Sequence, residues 1–180
     1  SCLVGSEMCI RDRVNEYDNV LVVQTFSKSR SMAGMRIGYA FGSSKLIKAL
    51  NDVKFSFNSY TMNMTSIKYG VASINDKAYF DECVGKIIET REKAKGSLTK
   101  LGFTFPDSKA NFIFATHKSV PAKEIFEKLK AKKIYVRYFN QPGIDNYLRI
   151  SVGTDEQMDK LIQALSDIVC LLYTSDAADE

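Results

Sequence analysis

Thr25-Phe26-Ser27-Lys28-Ser29-Arg30-Ser31-Met32-Ala33-Gly34-Met35-Arg36-Ile37-Gly38-Tyr39 is the stretch on which the reading of this chain turns. Just before it, Asn19–Phe26 is short, apolar and rich in β-branched residues. That composition predicts a buried strand of a parallel sheet. Ser27–Gly34 is small and polar and ends on glycine, which predicts a loop, and Arg36–Phe41 returns to strand character. A strand therefore delivers Lys28 into a hydroxyl-rich loop, and Arg36 follows between Gly34 and Gly38.

These residue types suggest a chemistry. Lys28 is a candidate amine nucleophile for a carbonyl. Thr25, Ser27 and Arg36 are candidate phosphate ligands, the arginine through two parallel hydrogen bonds, and the glycines allow close backbone approach. Capture of an aldehyde together with a phosphate is what pyridoxal 5'-phosphate requires. Residue types alone leave a second possibility open, a surface loop with a solvated lysine.

Working outward, Ser43 or Ser44 caps a helix over Lys45–Val53, Phe55–Asn63 reads as a loop, and Thr65 opens another helix. Asp76 starts a long amphipathic helix reaching about Leu101, with Gly102 as its C-terminal cap. Ala110–Thr116 predicts a strand and Pro121–Lys132 a helix with proline near its first turn. Ile134–Tyr138 and Tyr147–Val152 predict strands. Asp155–Val169 predicts a helix, with Met158, Leu161, Ile162 and Leu165 at helical spacing. This β-α-β-β-α order predicts a small α+β domain over 86–169, following an α/β part over 14–85.

The composition is that of an ordinary globular protein, with 45% hydrophobic and 26% charged residues and a net charge of +4. No apolar run reaches the roughly 18 residues that suggest a membrane span. Basic residues are scattered, so neither a membrane nor a nucleic-acid partner is expected. The single histidine, His117, excludes a histidine triad or a zinc site built from this chain alone, and a loop position is expected for it. The termini read differently. Met8–Asp12 fits codons ATG TGT ATA AGA GAC, and Cys170–Ser175 fits TGT CTC TTA TAC ACA TCT, the two orientations of a transposon end used in sequencing libraries. Residues 1–13 and 170–180 are therefore expected to be adapter-derived. Only Cys83 then remains of the cysteines, which fits a reducing cytoplasm and leaves no disulfide framework.

The lysine stretch resembles the lysine motif of class I/II aminotransferases of fold type I. That motif is Ser/Thr-x-Ser-Lys, seven residues, then Arg-x-Gly; Thr25, Ser27, Lys28, Arg36 and Gly38 stand in register with it. The resemblance extends over 14–169, is best to the histidinol-phosphate branch, and takes in Phe57-Asn-Ser59, Ala110-Asn-Phe112, Ile134-Tyr-Val-Arg137 and Leu148-Arg-Ile-Ser-Val-Gly153. It implies the C-terminal half of a fold-type I enzyme, part of the large parallel-sheet domain plus the small α+β domain.

By this resemblance Lys28 joins covalently to pyridoxal 5'-phosphate and later carries the transferred proton, while Arg36, Ser27 and Thr25 hold the phosphate. Arg149 grips the substrate's anionic end, Arg137 a substrate phosphate, and Asn111 lies near the substrate. Asn58 and Tyr60 occupy a loop that reaches a neighbouring subunit. The implied reaction is transamination of L-histidinol phosphate with 2-oxoglutarate in histidine biosynthesis, by a cytoplasmic homodimer. Alternatives are an aromatic aminotransferase, an amino-acid-phosphate decarboxylase, and a non-catalytic sensor of the same fold. The resemblance also implies that an N-terminal half supplies the remaining cofactor contacts, among them an aspartate for the ring nitrogen. This chain alone is then expected to be inactive, with residues 90–169 its better-folded part.

Overall fold

The computed structural model describes residues 12–176, which divide into two compact units after Val84. In the first unit, β1 (Leu21–Thr25) pairs antiparallel with β2 (Gly38–Gly42), in a register running from Leu21↔Gly42 to Thr25↔Gly38. The ladder continues one step further, with Phe26 N–H donating to Ile37 O at 3.1 Å. The expectation of a parallel, fully buried strand fails here. Parallel neighbours need a crossover, usually through a helix that packs on the sheet, whereas the segment between β1 and β2 folds back as short turns. Only Val22 of β1 is buried.

The stretch expected as a loop is more ordered than its composition suggests. Phe26–Ser29 forms one helical turn, α1, and Ala33–Met35 forms a 3₁₀ turn. The buried Phe26 organises both, because its carbonyl accepts from Arg30 N and Met32 N. Helix α2 (Ser44–Phe57) runs past the expected Val53 and takes in Phe55–Phe57, which had been assigned to a loop. Helix α3 (Met64–Asn75) is capped by Asn63, whose Oδ1 accepts from Ser66 N at 2.7 Å. Ser66 Oγ then donates to Met35 O at 2.7 Å, tying the turn after Lys28 to α3. Gly70 lets α3 approach closely, since a Cβ there would lie 3.0 Å from Ile37 Cδ1.

Helix α4 (Lys77–Lys100) passes through the division between the units. It stops at Gly102, whose φ of +86° is open to glycine and costly for other residues.

The second unit holds a four-stranded antiparallel sheet in the order β3-β4-β6-β5, built from Phe103–Thr104, Phe112–His117, Leu148–Ser151 and Arg137–Tyr138. Ile113, Ala115, Leu148 and Ile150 lie on one face and are buried. They pack with Ala94 and Leu98 of α4, with Ile125 and Leu129 of α5 (Ala122–Ala131), and with Leu161 and Leu165 of α6 (Asp155–Asp176). Each such aliphatic side chain contributes about 1.5–3 kcal/mol relative to exposure. The expected strand Ile134–Tyr138 shrinks to two residues, because Ile134 and Val136 pack against the core without joining the ladder.

His117 is not a loop residue. It ends β4, is 3% exposed, and bridges three segments. Its Nδ1 accepts from Val120 N at 3.0 Å and from Ser119 N at 3.2 Å, and its Nε2 lies 2.9 Å from Leu101 O. With Nδ1 accepting, the ring proton sits on Nε2 and is donated to Leu101 O. Burial holds the imidazole pKa below its usual value, and the neighbouring Lys118 charge acts in the same direction.

Candidate cofactor and substrate site

In the first unit the hairpin gathers the lysine-motif residues at one end. Thr25 pairs with Gly38 as the last ladder pair, and Phe26 meets Ile37. Ser27 and Lys28 therefore leave the strand where Arg36 enters the next one. Thr25 has extended backbone and makes no capping bond with its side chain. Lys28 is exposed, on α1, and its ammonium makes no hydrogen bond or ion pair among the described residues. Arg36 adopts a left-handed backbone, φ 54° and ψ 40°, which costs a non-glycine residue about 1–2 kcal/mol. Its Nη1 donates to Ala33 O at 3.0 Å, which leaves the rest of the guanidinium fork for another acceptor. The backbone thus places a lysine, two hydroxyl residues and an arginine at one end of the hairpin, residue types that suit an aldehyde joined to a phosphate. Strain of this kind concentrates at ligand-binding positions.

Arg30 lies in the same stretch and serves a different purpose. It donates to Ser73 O at 2.6 Å and its guanidinium sits 3.9 Å from the Phe80 ring centre. A cleft of about 670 Å³ opens beside it, lined by Ser29, Met35, Tyr69 and Cys83 among others, and neither Lys28 nor Arg36 lines it. The chemistry of the lysine motif and this cleft are therefore separate features.

In the second unit the face of the sheet opposite the core carries the other candidates. Arg149 pairs with Phe114 on one side and with Arg137 on the other, so the three residues form a row across β4, β6 and β5. Each arginine lies over a ring at 5.5 Å, Arg137 over Phe139 and Arg149 over Phe112. Phe114 stacks on Tyr147 with centroids 4.6 Å apart. Neither arginine forms an ion pair with a carboxylate among the described residues. Like charges directly opposite on paired strands are unfavourable, and no carboxylate among the described residues offsets this pair. Asn111 sits at the entry to β4, with its backbone carbonyl accepting from Val152 N at 2.9 Å. Its side-chain amide makes no hydrogen bond among the described residues.

Phe114, Phe139 and Tyr147 of this face are not among the binding candidates named from the sequence. The alternation of Phe112, Phe114 and Thr116 with Ile113, Ala115 and His117 was the available signal, since period two places each set on its own face. The described residues contain no cluster of histidine, cysteine, aspartate and glutamate able to hold a metal ion.

The family described as Aminotransferase class I and II matches residues 3–165. The histidinol-phosphate aminotransferase of Brachyspira hyodysenteriae is 52% identical over 154 residues, 86% of this chain and 44% of that protein. That of Lactococcus lactis subsp. lactis is 50% identical over 161 residues, 89% of this chain and again 44% of that protein. The chain thus spans under half the length of these relatives. Among solved structures, the histidinol-phosphate aminotransferase from Sinorhizobium meliloti in complex with pyridoxal-5'-phosphate is similar with a TM-score of 0.74 and 26% identity, over 86% of this chain and 42% of that one. The enzyme from Clostridium acetobutylicum gives a TM-score of 0.79 at 22% identity, over 88% of this chain and 48% of that one, a likeness of fold. The chain belongs to the class I and II aminotransferase family, as a part corresponding to less than half of its full-length members.

Proposed function

We propose that the full-length protein carrying this chain transfers an amino group between L-histidinol phosphate and 2-oxoglutarate, with pyridoxal 5'-phosphate as cofactor. The observation that carries the substrate choice is the opposed pair Arg137↔Arg149 on an aromatic-lined sheet face. Two cations suit a reaction whose partners are a phosphate ester and a dicarboxylic acid, and the rings suit an imidazole. Identity of about half to proteins named histidinol-phosphate aminotransferase supports the same choice.

The residues of the hairpin end fit the cofactor by their chemistry. Lys28 supplies the amine for its aldehyde, and Arg36, Ser27 and Thr25 supply donors for its phosphate. Bound, the cofactor supplies an electron sink for the charge left at the substrate α-carbon. With the cofactor held there, the Lys28 amine would serve as general base and acid for the substrate α-proton. Arg149 binds the carboxylate end of glutamate, Arg137 the phosphate of the histidinol ester, and Asn111 a polar group of the substrate. The proposal includes a cytoplasmic homodimer. In its support, Phe57 and Tyr60 are 91% and 93% exposed around the loop expected to meet a second subunit. No described helix is long and apolar enough to cross a membrane.

The test is product formation by the full-length protein from L-histidinol phosphate, with and without 2-oxoglutarate. Dependence on the oxo acid, and its loss in Lys28→Ala, is the expected result. Product without an oxo acid would mean a decarboxylase acting on an amino-acid phosphate instead. Preference for an aromatic amino acid in competition would mean a broader aminotransferase. Absence of any turnover, with ligand binding retained, would mean a sensor. The 180-residue chain alone is expected to be inactive, because the partner of the ring nitrogen is not among its assigned residues.

A further inference from the structure

The loop that presents Asn111 is fastened from the side by helix α4. Arg91 on that helix is 4% exposed, an unusual place for a guanidinium. Its Nη1 donates to Ala110 O at 3.1 Å and its Nε to Glu92 Oε1 at 2.9 Å. Glu92 also accepts from Lys95 Nζ at 3.0 Å, and Lys95 reaches Asp107 Oδ1 at 2.6 Å. Two cations of α4 therefore hold the two ends of the segment from Asp107 to Ala110.

Inside the segment, Ser108 Oγ donates to Phe112 O at 2.6 Å and accepts from Ala110 N at 3.2 Å. Beyond it, Asn111 O accepts from Val152 N at 2.9 Å. Every main-chain polar group flanking the Ala110–Asn111 peptide that these bonds involve is thus directed by a named partner. The Asn111 side-chain amide makes no hydrogen bond among the described residues and can meet a ligand. Water or a hydroxyl could satisfy the Ala110 carbonyl; a buried guanidinium satisfies it with a planar, rigid donor that also sets direction.

We propose that Arg91 is a positioning residue for Asn111: by gripping the Ala110 carbonyl it fixes the plane of the Ala110–Asn111 peptide, and so the direction in which Asn111 offers its amide to the substrate. This rests on the reading of Asn111 as a substrate contact given above, and the two can fail separately.

The experiment follows amide hydrogen exchange by NMR in the ¹⁵N-labelled 180-residue chain, wild type against Arg91→Met and Arg91→Lys. The reporter is Val152 N–H, which bonds to Asn111 O; Leu148 and Ile150 in the same strand report the core. The expected result is exchange at Val152 about tenfold faster relative to those two in Arg91→Met, a moved Asn111 side-chain amide signal, and partial recovery in Arg91→Lys. Parallel acceleration of all three amides would make Arg91 a stabilising residue only and overturn the proposal, as would no change. Should Arg91→Met not fold, Glu92→Gln loosens the guanidinium without removing it. Faster exchange at Val152 alone then supports the proposal, and unchanged exchange there overturns it. Titration of the full-length protein, loaded with pyridoxal 5'-phosphate, with L-histidinol phosphate tests the other reading. Movement of the Asn111 side-chain amide signals supports the substrate contact. No movement removes that contact while the exchange data still decide the tether.

Discussion

Arg137 and Arg149 stand opposite one another as register partners on the antiparallel strands β5 and β6, each guanidinium resting over a phenylalanine ring. Two like charges held opposite one another cost stability unless an anion lies between them. Arg137→Met is expected to leave the chain as stable as wild type or to stabilise it by about 0.2–1 kcal/mol, the range for a cross-strand pair. Urea denaturation measures this, and a loss greater than about 1 kcal/mol would show the guanidinium to be structural. In the wild type, inorganic phosphate should raise the unfolding midpoint by mass action, and Arg137→Met should abolish that rise.

His117 makes the second unit sensitive to acid. Its folded-state pKa lies below the usual 6.5 because of burial, so the unfolded chain binds the proton more readily than the folded one. The stability contributed by the neutral ring is therefore complete above about 6.5, and it is lost as the pH falls through that value toward the lower folded-state value. Protonation also removes the acceptor used by Val120 N and Ser119 N. The urea midpoint should fall between pH 7 and pH 5.5 in the wild type. His117→Asn should be less stable at pH 7 and show no such slope; an equal slope in the variant would assign the effect to other groups.

Gly102 is expected to tolerate no side chain. At φ +86° a Cβ would lie 3.0 Å from His117 Nε2 and 3.2 Å from Lys118 Cε. Gly102→Ala should cost about 1–2 kcal/mol from the left-handed backbone alone, with crowding against His117 in addition. Thermal unfolding of the variant checks this, and an unchanged midpoint would mean that the end of α4 rearranges freely.

Protection should be unequal along the chain. The largest fully buried apolar side chains, Leu98, Ile113, Ile125, Leu129, Leu148, Ile150, Leu165 and Ile168, all follow Val84, whereas Val53, Phe55, Met64, Ile67 and Ile74 stand exposed before it. Amide exchange should be slowest in β4, β6 and α5 and faster throughout β1 and β2. Slower exchange in β1 than in β4 would contradict this distribution.

Much of the helical framework was legible in the sequence. Helix spans were readable where apolar spacing was long and capped, as from Asp76 to Gly102 and from Asp155 onward, because a repeat of 3.6 residues declares itself locally. Short strands were less so. β3 has two residues and no period to detect, and Ile134 carries the composition of a strand while packing outside the ladder. The turns after Lys28 were read as loop because their order comes from main-chain bonds to the Phe26 carbonyl, which residue types do not announce, and from Ser66, which is distant in sequence from the Met35 carbonyl it holds.

What the sequence by itself determined is the chemistry available: an amine, two hydroxyls and an arginine at the spacing of the lysine motif, and two further arginines on strand-forming segments. What only the tertiary structure decided is which groups meet and which are shut from water. That Arg137 faces Arg149, that Arg91 reaches the carbonyl before Asn111, and that His117 is neutral and buried all depend on pairings between segments far apart in the chain. Strand register and desolvation are properties of those meetings, and no local period encodes them.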